Sequence, residues 1–183
     1  EKLVSLHDNC YETYGMTETI THIAASKLSV PKKPFQALDG IHLEVDRDGC
    51  LVVNAPDITD QLIHTNDLIE MHDEKTFTYL GRRDNIINSG GVKISPEVVE
   101  HKLAYHIQFP FFIYGIPDKI LGHKLIMVVE GDKRHFKEAE KQISACENLE
   151  KFEVPKAIYF VSEILRNNGK FMRDKTVSNL KIP

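Results

Sequence analysis

The chain has 183 residues and a net charge of −4, with 42% apolar and 27% charged residues. These values are ordinary for a globular protein with one domain or two small ones. The charge is weakly acidic, and no cluster of lysines and arginines is interleaved with aromatic residues. Composition therefore argues against a nucleic acid or an anionic membrane surface as a partner.

The three cysteines, Cys10, Cys50 and Cys146, are widely spaced and form no C-x-x-C pair. This spacing argues against a disulfide framework and a thiolate zinc site, and it favours a cytoplasmic location. No apolar run reaches the length of a membrane span. The chain begins at Glu1 in what reads as the middle of a domain, so we expect it to be part of a longer protein.

The first notable segment is Tyr14-Gly15-Met16-Thr17-Glu18. It places an aromatic ring, a glycine, a hydroxyl and a carboxylate within five positions. This set suits a nucleotide, since it offers a surface for stacking, access to the backbone, a phosphate donor and a Mg²⁺ ligand. The alternative is a turn that leads into a helix capped by Thr17.

Residues 31–80 are β-rich, beginning at Pro31. Residues 41–45 and 51–53 predict a hairpin, and residues 62–70 and 77–80 predict further strands. We expect a small antiparallel β subdomain that ends at Gly81. Asp67 interrupts an apolar strand, so its carboxylate must be hydrogen-bonded or lie at a strand end. A ribose hydroxyl pair and a buried backbone amide both remain open as its partner.

Residues 85–183 predict a compact α+β module with a three-stranded sheet and flanking helices. Asn88-Ser89-Gly90-Gly91 predicts a hairpin turn, and Ser95-Pro96-Glu97 predicts the start of a helix. The three strands are predicted at residues 111–116, 124–130 and 157–161. The inner faces of the two helices are predicted to carry Val99, Leu103 and Ile107, and Phe136, Ala139, Ile143 and Cys146.

Near the C-terminal end, Asn167-Asn168-Gly169 predicts a tight exposed loop that presents Lys170. A lysine at such a turn serves either as a catalytic cation or as an ordinary solvated side chain.

These segments, in this order, resemble the C-terminal part of the adenylate-forming superfamily, which includes acyl-CoA and aryl-CoA synthetases, peptide-synthetase adenylation domains and luciferases. The matching segments are Tyr14-Gly15-Met16-Thr17-Glu18, Thr65-Asn66-Asp67, Gly81-Arg82-Arg83-Asp84, Gly90-Gly91-Val92-Lys93-Ile94 with Glu97 and Glu100, and Gly169-Lys170 with Arg173. Within the superfamily, the stretch from Thr65 to Glu100 is most similar to the acid-CoA ligases that act on o-succinylbenzoate in menaquinone biosynthesis.

The resemblance implies an AMP-forming acid-CoA ligase that uses ATP, Mg²⁺ and coenzyme A. It also implies a division into residues 1–81 as the end of the large domain, 82–84 as a hinge and 85–183 as a mobile C-terminal domain. The implied site residues are Tyr14 stacking on adenine, Gly15 as a further cofactor-binding residue, Thr17 at the α-phosphate, Glu18 at Mg²⁺, Asp67 and Arg82 at ribose, Asp84 at the hinge, Gly90 and Gly91 at the pantetheine arm, and Lys170 at the reacting carboxylate and phosphate.

Three features depart from the superfamily pattern. Asn66 replaces a glycine, Leu165-Arg166-Asn167 stands where a proline and a threonine are usual, and the loop that grips the β- and γ-phosphates is absent from this stretch. We therefore expect the stretch by itself to be inactive. Two other functions remain open: an adenylation domain that loads a carrier protein, and a non-catalytic module that binds a nucleotide or a partner.

Overall fold

The computed structural model describes residues 9–29 and 33–180, so Pro31, where the predicted β-rich region begins, lies outside it. The chain divides into two compact units, with the boundary between Asp84 and Asn85. Both units contain mostly antiparallel sheets, and the short α-helices of the described residues lie in the second unit, which confirms the predicted α+β class.

Unit 1, which ends at Asp84, is built around a seven-stranded antiparallel sheet. Its strands are Tyr11–Gly15 (β1), His22–Lys27 (β2), Phe35–Ala37 (β3), His42–Val45 (β4), Cys50–Asn54 (β5), Ile63–Met71 (β6) and Thr76–Arg82 (β7). They lie in the spatial order β1-β2-β3-β7-β6-β5-β4. The β subdomain predicted within residues 31–80 forms the larger part of this sheet, as strands β3 to β7.

The turns of unit 1 are held by aspartates that accept backbone hydrogen bonds. Asp46 accepts from the N–H groups of Asp48 and Cys50 at 2.9 and 2.8 Å, and Gly49 adopts a φ of +83°. Asp73 accepts in the same way from Lys75 and Thr76. Such local contacts fix a hairpin from its own sequence, which is why the predicted β4–β5 hairpin is confirmed.

The core of unit 1 is a cluster of buried apolar side chains from several strands of its sheet. Phe77, Ile23, Leu51 and Val53 are fully buried, and the Phe35 ring stacks on Phe77 with centroids 5.5 Å apart. Each of these side chains contributes about 1.5–3 kcal/mol by leaving water. This core supports the strands that carry the predicted nucleotide-site residues.

Unit 2 begins at Asn85, the last residue of a 3-10 helix, Arg83–Asn85. Its strands are Ile87–Ser89 (β8), Val92–Ile94 (β9), Phe111–Asp118 (β10), Gly122–Glu130 (β11), Ala157–Val161 (β12), Arg166–Asn167 (β13) and Lys170–Phe171 (β14). Its helices are Pro96–Leu103 (α1), Phe136–Ser144 (α2) and Arg173–Ser178 (α3). The last of these has no apolar periodicity, and the sequence did not predict it.

The sheet of unit 2 has five strands and not the three expected. The three predicted strands are present, with β10 antiparallel and β12 parallel to β11. The β8–β9 hairpin adds two more strands through one bridge between Ser89 and Gly122. Because β12 pairs only with residues 126–130 of β11, the earlier part of that edge is available to β8. This pairing joins segments that are distant in the sequence, so no local pattern predicts it.

Alternate residues of β10 and β11 face two different layers. On one face, Ile113 and Met127 pack in a core with Val99 and Leu103 of α1 and with α2. On the other face lies a second core with Phe112, Ile126, Val128, Ile164 and, from β14 and α3, Phe171 and Val177. The sheet therefore carries the Lys170 segment and α3 on one face and the two longer helices on the other.

The predicted helix faces are confirmed at Val99 and Leu103 of α1 and at Ala139 and Ile143 of α2. Ile107 and Cys146 are buried as predicted, but they lie beyond the ends of these helices. Ser95 caps α1 by accepting from the N–H of Val98, and Ala139 and Ile143 of α2 are buried. The prediction was wrong for Phe136, which is 40% exposed, because α2 begins at that residue and the side chain lies at the helix end. Among the described residues, no helix is long and apolar enough to cross a bilayer.

Candidate functional site

The Tyr14–Glu18 segment runs from the end of β1 into a 3-10 helix, Thr17–Thr19. A Cβ on Gly15 would lie 2.6 Å from the carbonyl oxygen of Thr21, so only glycine fits where the two backbones meet. Thr19 is fully buried, and its hydroxyl accepts from the N–H of Met16. Thr19 therefore fixes the loop, a role the sequence gave no sign of, and Thr17 and Glu18 remain exposed beside it.

Tyr14 and Asp67 lie in direct contact although 53 positions separate them. The Tyr14 hydroxyl donates to the Asp67 carboxylate, and the Tyr14 ring packs against Phe35, Phe77 and Tyr79 with centroids 5.4 to 6.2 Å away. Burial, and then the neighbouring Asp67 carboxylate, raises the pKa of Tyr14 far above its usual value. The tyrosine is therefore a neutral donor that orients the carboxylate.

Arg82 lies between two carboxylates. Its Nε and Nη2 donate to Asp84 at 3.1 and 2.9 Å, and its Nη1 lies 3.5 Å from Asp67 Oδ1. Asp67 and Arg82 are paired across β6 and β7, which explains why they meet. The hydrogen bond from Arg82 lowers the pKa of Asp84, so Asp84 is a charged acceptor. Tyr14, Asp67, Arg82 and Asp84 thus form one connected group. Its two carboxylates, Asp67 and Asp84, are called the carboxylate pair below.

The departure at Asn66 has a structural consequence. The Asn66 side-chain oxygen accepts from Arg83 Nη2 at 2.7 Å, and Arg83 Nη1 donates to Asp48 at 3.0 Å. Glycine, the residue of the superfamily pattern at this position, has no side chain that could accept this hydrogen bond. The contact therefore depends on the asparagine of this sequence. The sequence did not predict the contact between Asp48 and Arg83, because it depends on the register of β5, β6 and β7.

Glu18 is the candidate Mg²⁺ ligand, and its carboxylate is exposed. The described part of the chain contains no group of three or more His, Cys, Asp or Glu side chains that could hold a metal. Mg²⁺ in nucleotide sites is usually held by one or two carboxylates together with the phosphates. A single Glu18 fits that arrangement, in which the nucleotide supplies the remaining ligands.

Gly90 and Gly91 form the turn between β8 and β9, which confirms the predicted hairpin. Their φ angles are +61° and +86°, in the left-handed region that favours glycine. The N–H of Gly90 donates to the carbonyl of Leu121 at 2.8 Å, so the turn is attached to the β10–β11 connection. Both glycines are exposed, and Lys93 follows them as an exposed side chain.

Lys170 lies at the start of β14, directly after a tight turn. Asn168 and Gly169 have φ angles of +47° and +78°, and they connect β13 to β14 as a two-residue hairpin loop. The predicted exposed loop is confirmed, and Lys170 is exposed. Residues 165–173 are called the lysine loop below.

Arg173, the last residue of the lysine loop, forms a half-buried ion pair with Glu100 of α1. Arg173 Nη2 donates to Glu100 Oε2 at 2.9 Å, and the other Glu100 oxygen accepts from the N–H of Ile113 at 2.8 Å. Burial raises the pKa of Glu100 to about 7, and the attraction of Arg173 opposes that rise. The sequence matched Glu100 to a motif but assigned it no contact.

Because the folded-state pKa of Glu100 lies above its ordinary 4.5, the folded state binds this proton more tightly than the unfolded state does. The resulting stabilisation is present in acid and is lost as pH rises through about 7. Glu100→Gln removes the titration, so the free energy of unfolding of the variant relative to wild type should rise by about 2 kcal/mol between pH 5 and pH 8. Urea unfolding at both pH values measures this difference, and a pH-independent difference would contradict it.

The chain has the fold of the adenylate-forming ligases: it matches o-succinylbenzoate coenzyme A synthetase of Bacillus subtilis in complex with ATP and magnesium ion, with a TM-score of 0.74 and 20% identity over 96% of this chain and 49% of that one. It also matches an Escherichia coli MenE variant with bound OSB-AMS, with a TM-score of 0.64 and 25% identity over 83% of this chain and 36% of that one.

Sequence relatives agree with the structural comparison. The chain is 31% identical to the 2-succinylbenzoate–CoA ligase of Bacillus cytotoxicus over 87% of its length, and 30% identical to the enzyme of that name from a Geobacillus strain over 86%. No protein-family model matches. The chain belongs to the AMP-forming acyl-CoA ligases of the adenylate-forming superfamily. It spans 39% and 38% of the length of these two relatives.

Proposed function

We propose that the chain is the C-terminal part of an ATP-dependent acid-CoA ligase that forms an acyl-adenylate and then an acyl-CoA thioester, with o-succinylbenzoate as the acid. The observation that carries the proposal is the carboxylate pair, in which Asp67 and Asp84 flank the guanidinium of Arg82 beside the Tyr14–Glu18 loop. The names of the curated relatives support the choice of reaction and acid.

In the proposed nucleotide site, Asp67 accepts hydrogen bonds from the ribose hydroxyls, and Arg82 donates to the ribose. Tyr14 keeps the Asp67 carboxylate in place through its hydroxyl and contributes one edge of the adenine site. Gly15 lets the backbone approach the base. Thr17 and Glu18, both exposed at the same loop, would contact the α-phosphate and hold Mg²⁺.

In the first proposed step, a carboxylate oxygen of the acid attacks the α-phosphorus of ATP and pyrophosphate leaves. The reacting groups are all anionic, so a fixed cation lowers the barrier electrostatically. The exposed Lys170 supplies this cation. Bound Mg²⁺ would neutralise further charge on the phosphates.

In the second proposed step, the thiolate of coenzyme A attacks the acyl carbonyl and AMP leaves. Gly90 and Gly91 would line the pantetheine arm, because a turn without Cβ atoms lets the ligand approach the backbone. We propose residues 82–84 as the hinge between the two steps, which agrees with a unit boundary directly after Asp84.

Pyrophosphate release by the complete ligase tests the proposal, with o-succinylbenzoate, substituted benzoates and fatty acids as substrates. We expect activity with o-succinylbenzoate to exceed that with the other acids by about 10²-fold, because a site built for a second carboxylate leaves polar groups unpaired when that group is missing. A second measurement follows acyl transfer to coenzyme A. Activity on long-chain acids alone would remove the proposed acid, and transfer only to a carrier protein would remove the proposed acceptor.

A further inference from the structure

The lysine loop is anchored at both ends by arginines that contact half-buried carboxylates. At its start, Arg166 Nη1 donates to Glu130 Oε2 at 2.7 Å. At its end, Arg173 Nη2 donates to Glu100 Oε2 at 2.9 Å. Lys170 lies between the two anchors and is itself exposed. The base of the loop is therefore fixed to the sheet and α1 while the lysine faces solvent.

The anchor at Arg173 is the more enclosed of the two. Arg173 is the first residue of α3 and follows Lys170 by three positions. Its side chain is 23% exposed, its guanidinium lies 5.9 Å from the centroid of the Phe112 ring, and Nη1 lies 3.8 Å from Glu97 Oε1. An ion pair that is partly shielded from water is stronger than one on the surface.

Glu100 is held from a second side. Its Oε1 accepts from the N–H of Ile113, which belongs to β10 at the edge of the five-stranded sheet. The backbone groups on an edge strand have no partner strand, so the Glu100 carboxylate satisfies one of them. With one oxygen on the backbone and the other on a guanidinium, the carboxylate has a fixed orientation. Glu100 thus joins α1, β10 and the end of the lysine loop.

The same cluster extends to the first residue of unit 2. Glu97 Oε1 accepts from the side-chain amide of Asn85, and Glu97 Oε2 accepts from the hydroxyl of Ser95 at 3.1 Å. Asn85 ends the 3-10 helix that contains two of the proposed hinge residues, Arg83 and Asp84. The end of the lysine loop and the residue that follows the proposed hinge are thereby attached to one helix, α1.

We propose that Glu100 is a positioning residue for acyl-adenylate formation: it fixes Arg173, and through Arg173 the end of the lysine loop, so that the Lys170 ammonium is presented at one place. Glu100 acts without touching a substrate. This inference rests on the proposed function, since it concerns the step assigned to Lys170.

Glu100→Gln in the complete ligase tests the inference. Glutamine keeps the size of the side chain but replaces one of the two oxygens with an NH2 group, which donates. Because Ile113 and Arg173 donate to different oxygens of Glu100, glutamine in the same orientation loses one of the two contacts. We expect kcat for acyl-adenylate formation to fall about tenfold, since small displacements of a catalytic group carry large rate penalties. The KM for ATP and the rate of thioester formation from supplied acyl-adenylate should stay within about twofold of wild type, because neither depends on where the ammonium is held.

Glu153→Gln is the matched control. It weakens the ion pair between Glu153 and Lys102, which lies on α1 as Glu100 does. The charged atoms of this pair are 2.6 Å apart, and its side chains are shielded from water to a similar degree. Both half-reactions should be unchanged. Arg173→Met should reproduce the loss seen with Glu100→Gln, and the double variant should lose no more than either single variant, since both remove one anchor. If Glu100→Gln fails to fold, Arg173→Met tests the anchor from its other side.

The outcomes separate the two proposals. An active wild-type ligase in which Glu100→Gln slows both half-reactions equally, or behaves like Glu153→Gln, overturns the positioning role and leaves the proposed function standing. Additive losses in the double variant would also overturn it. A wild-type ligase that adenylates no acid overturns the proposed function itself, and the positioning role with it.

Discussion

Lys170→Ala in the complete ligase is expected to lower the rate of acyl-adenylate formation by about 10³-fold, because it removes the cation that faces the charge developing at the α-phosphate. Thioester formation from supplied acyl-adenylate should be unaffected, since the phosphate bond has already reacted in that step. Rapid-quench measurement of each half-reaction separates the two effects. The exposure of Lys170 means that the substitution removes no packing.

Lys175→Ala serves as the control for Lys170→Ala. Lys175 is an exposed lysine of α3, in the same unit and five positions further along the chain. Its loss changes the net charge by the same amount without touching the lysine loop turn, so both half-reactions should remain at wild-type rates. Equal loss of both half-reactions in Lys170→Ala would contradict the division of labour between Lys170 and the glycine turn.

The parts of the fold that the sequence predicted correctly are those fixed by neighbouring residues. Asp46 and Gly49 define one turn, and Asn168 and Gly169 define another, through contacts within a few positions. The attachment of β8 to β11 depends on one bridge between Ser89 and Gly122, which are 33 positions apart by sequence number. The free length of β11 that permits this bridge is known only once β12 has been placed.

The same contrast between local patterns and long-range contacts holds for the candidate site. Segment likeness identified Tyr14, Asp67 and Arg82, and the register of β6 and β7 brings them together. The role of each residue stays a prediction. The contacts of Arg83 with Asp48 and Asn66 could not be predicted, because they depend on where three strands end relative to one another. The same holds for the ion pair of Glu100 with Arg173, which joins two helices across an edge strand.

Substitution of Gly91 is expected to have the second large effect, which falls on thioester formation, the step that Lys170 does not serve. A Cβ at Gly91 would meet no atom of the chain within 4 Å, so any loss on substitution comes from backbone strain or from a blocked ligand. If the turn lines the pantetheine arm, Gly91→Ala should slow thioester formation from supplied acyl-adenylate by about a hundredfold, because the thiol is displaced from its attacking position. Acyl-adenylate formation should remain at the wild-type rate.

Gly91→Asn separates strain from obstruction. Asparagine tolerates a positive φ better than alanine does, so it relieves the strain at the +86° position while adding a larger side chain. Obstruction predicts that thioester formation is as slow in Gly91→Asn as in Gly91→Ala, whereas strain predicts that asparagine restores it. Stopped-flow release of AMP with coenzyme A as the acceptor measures both variants. Recovery in Gly91→Asn would remove the turn from the pantetheine site, because the larger side chain would then occupy space that no substrate needs.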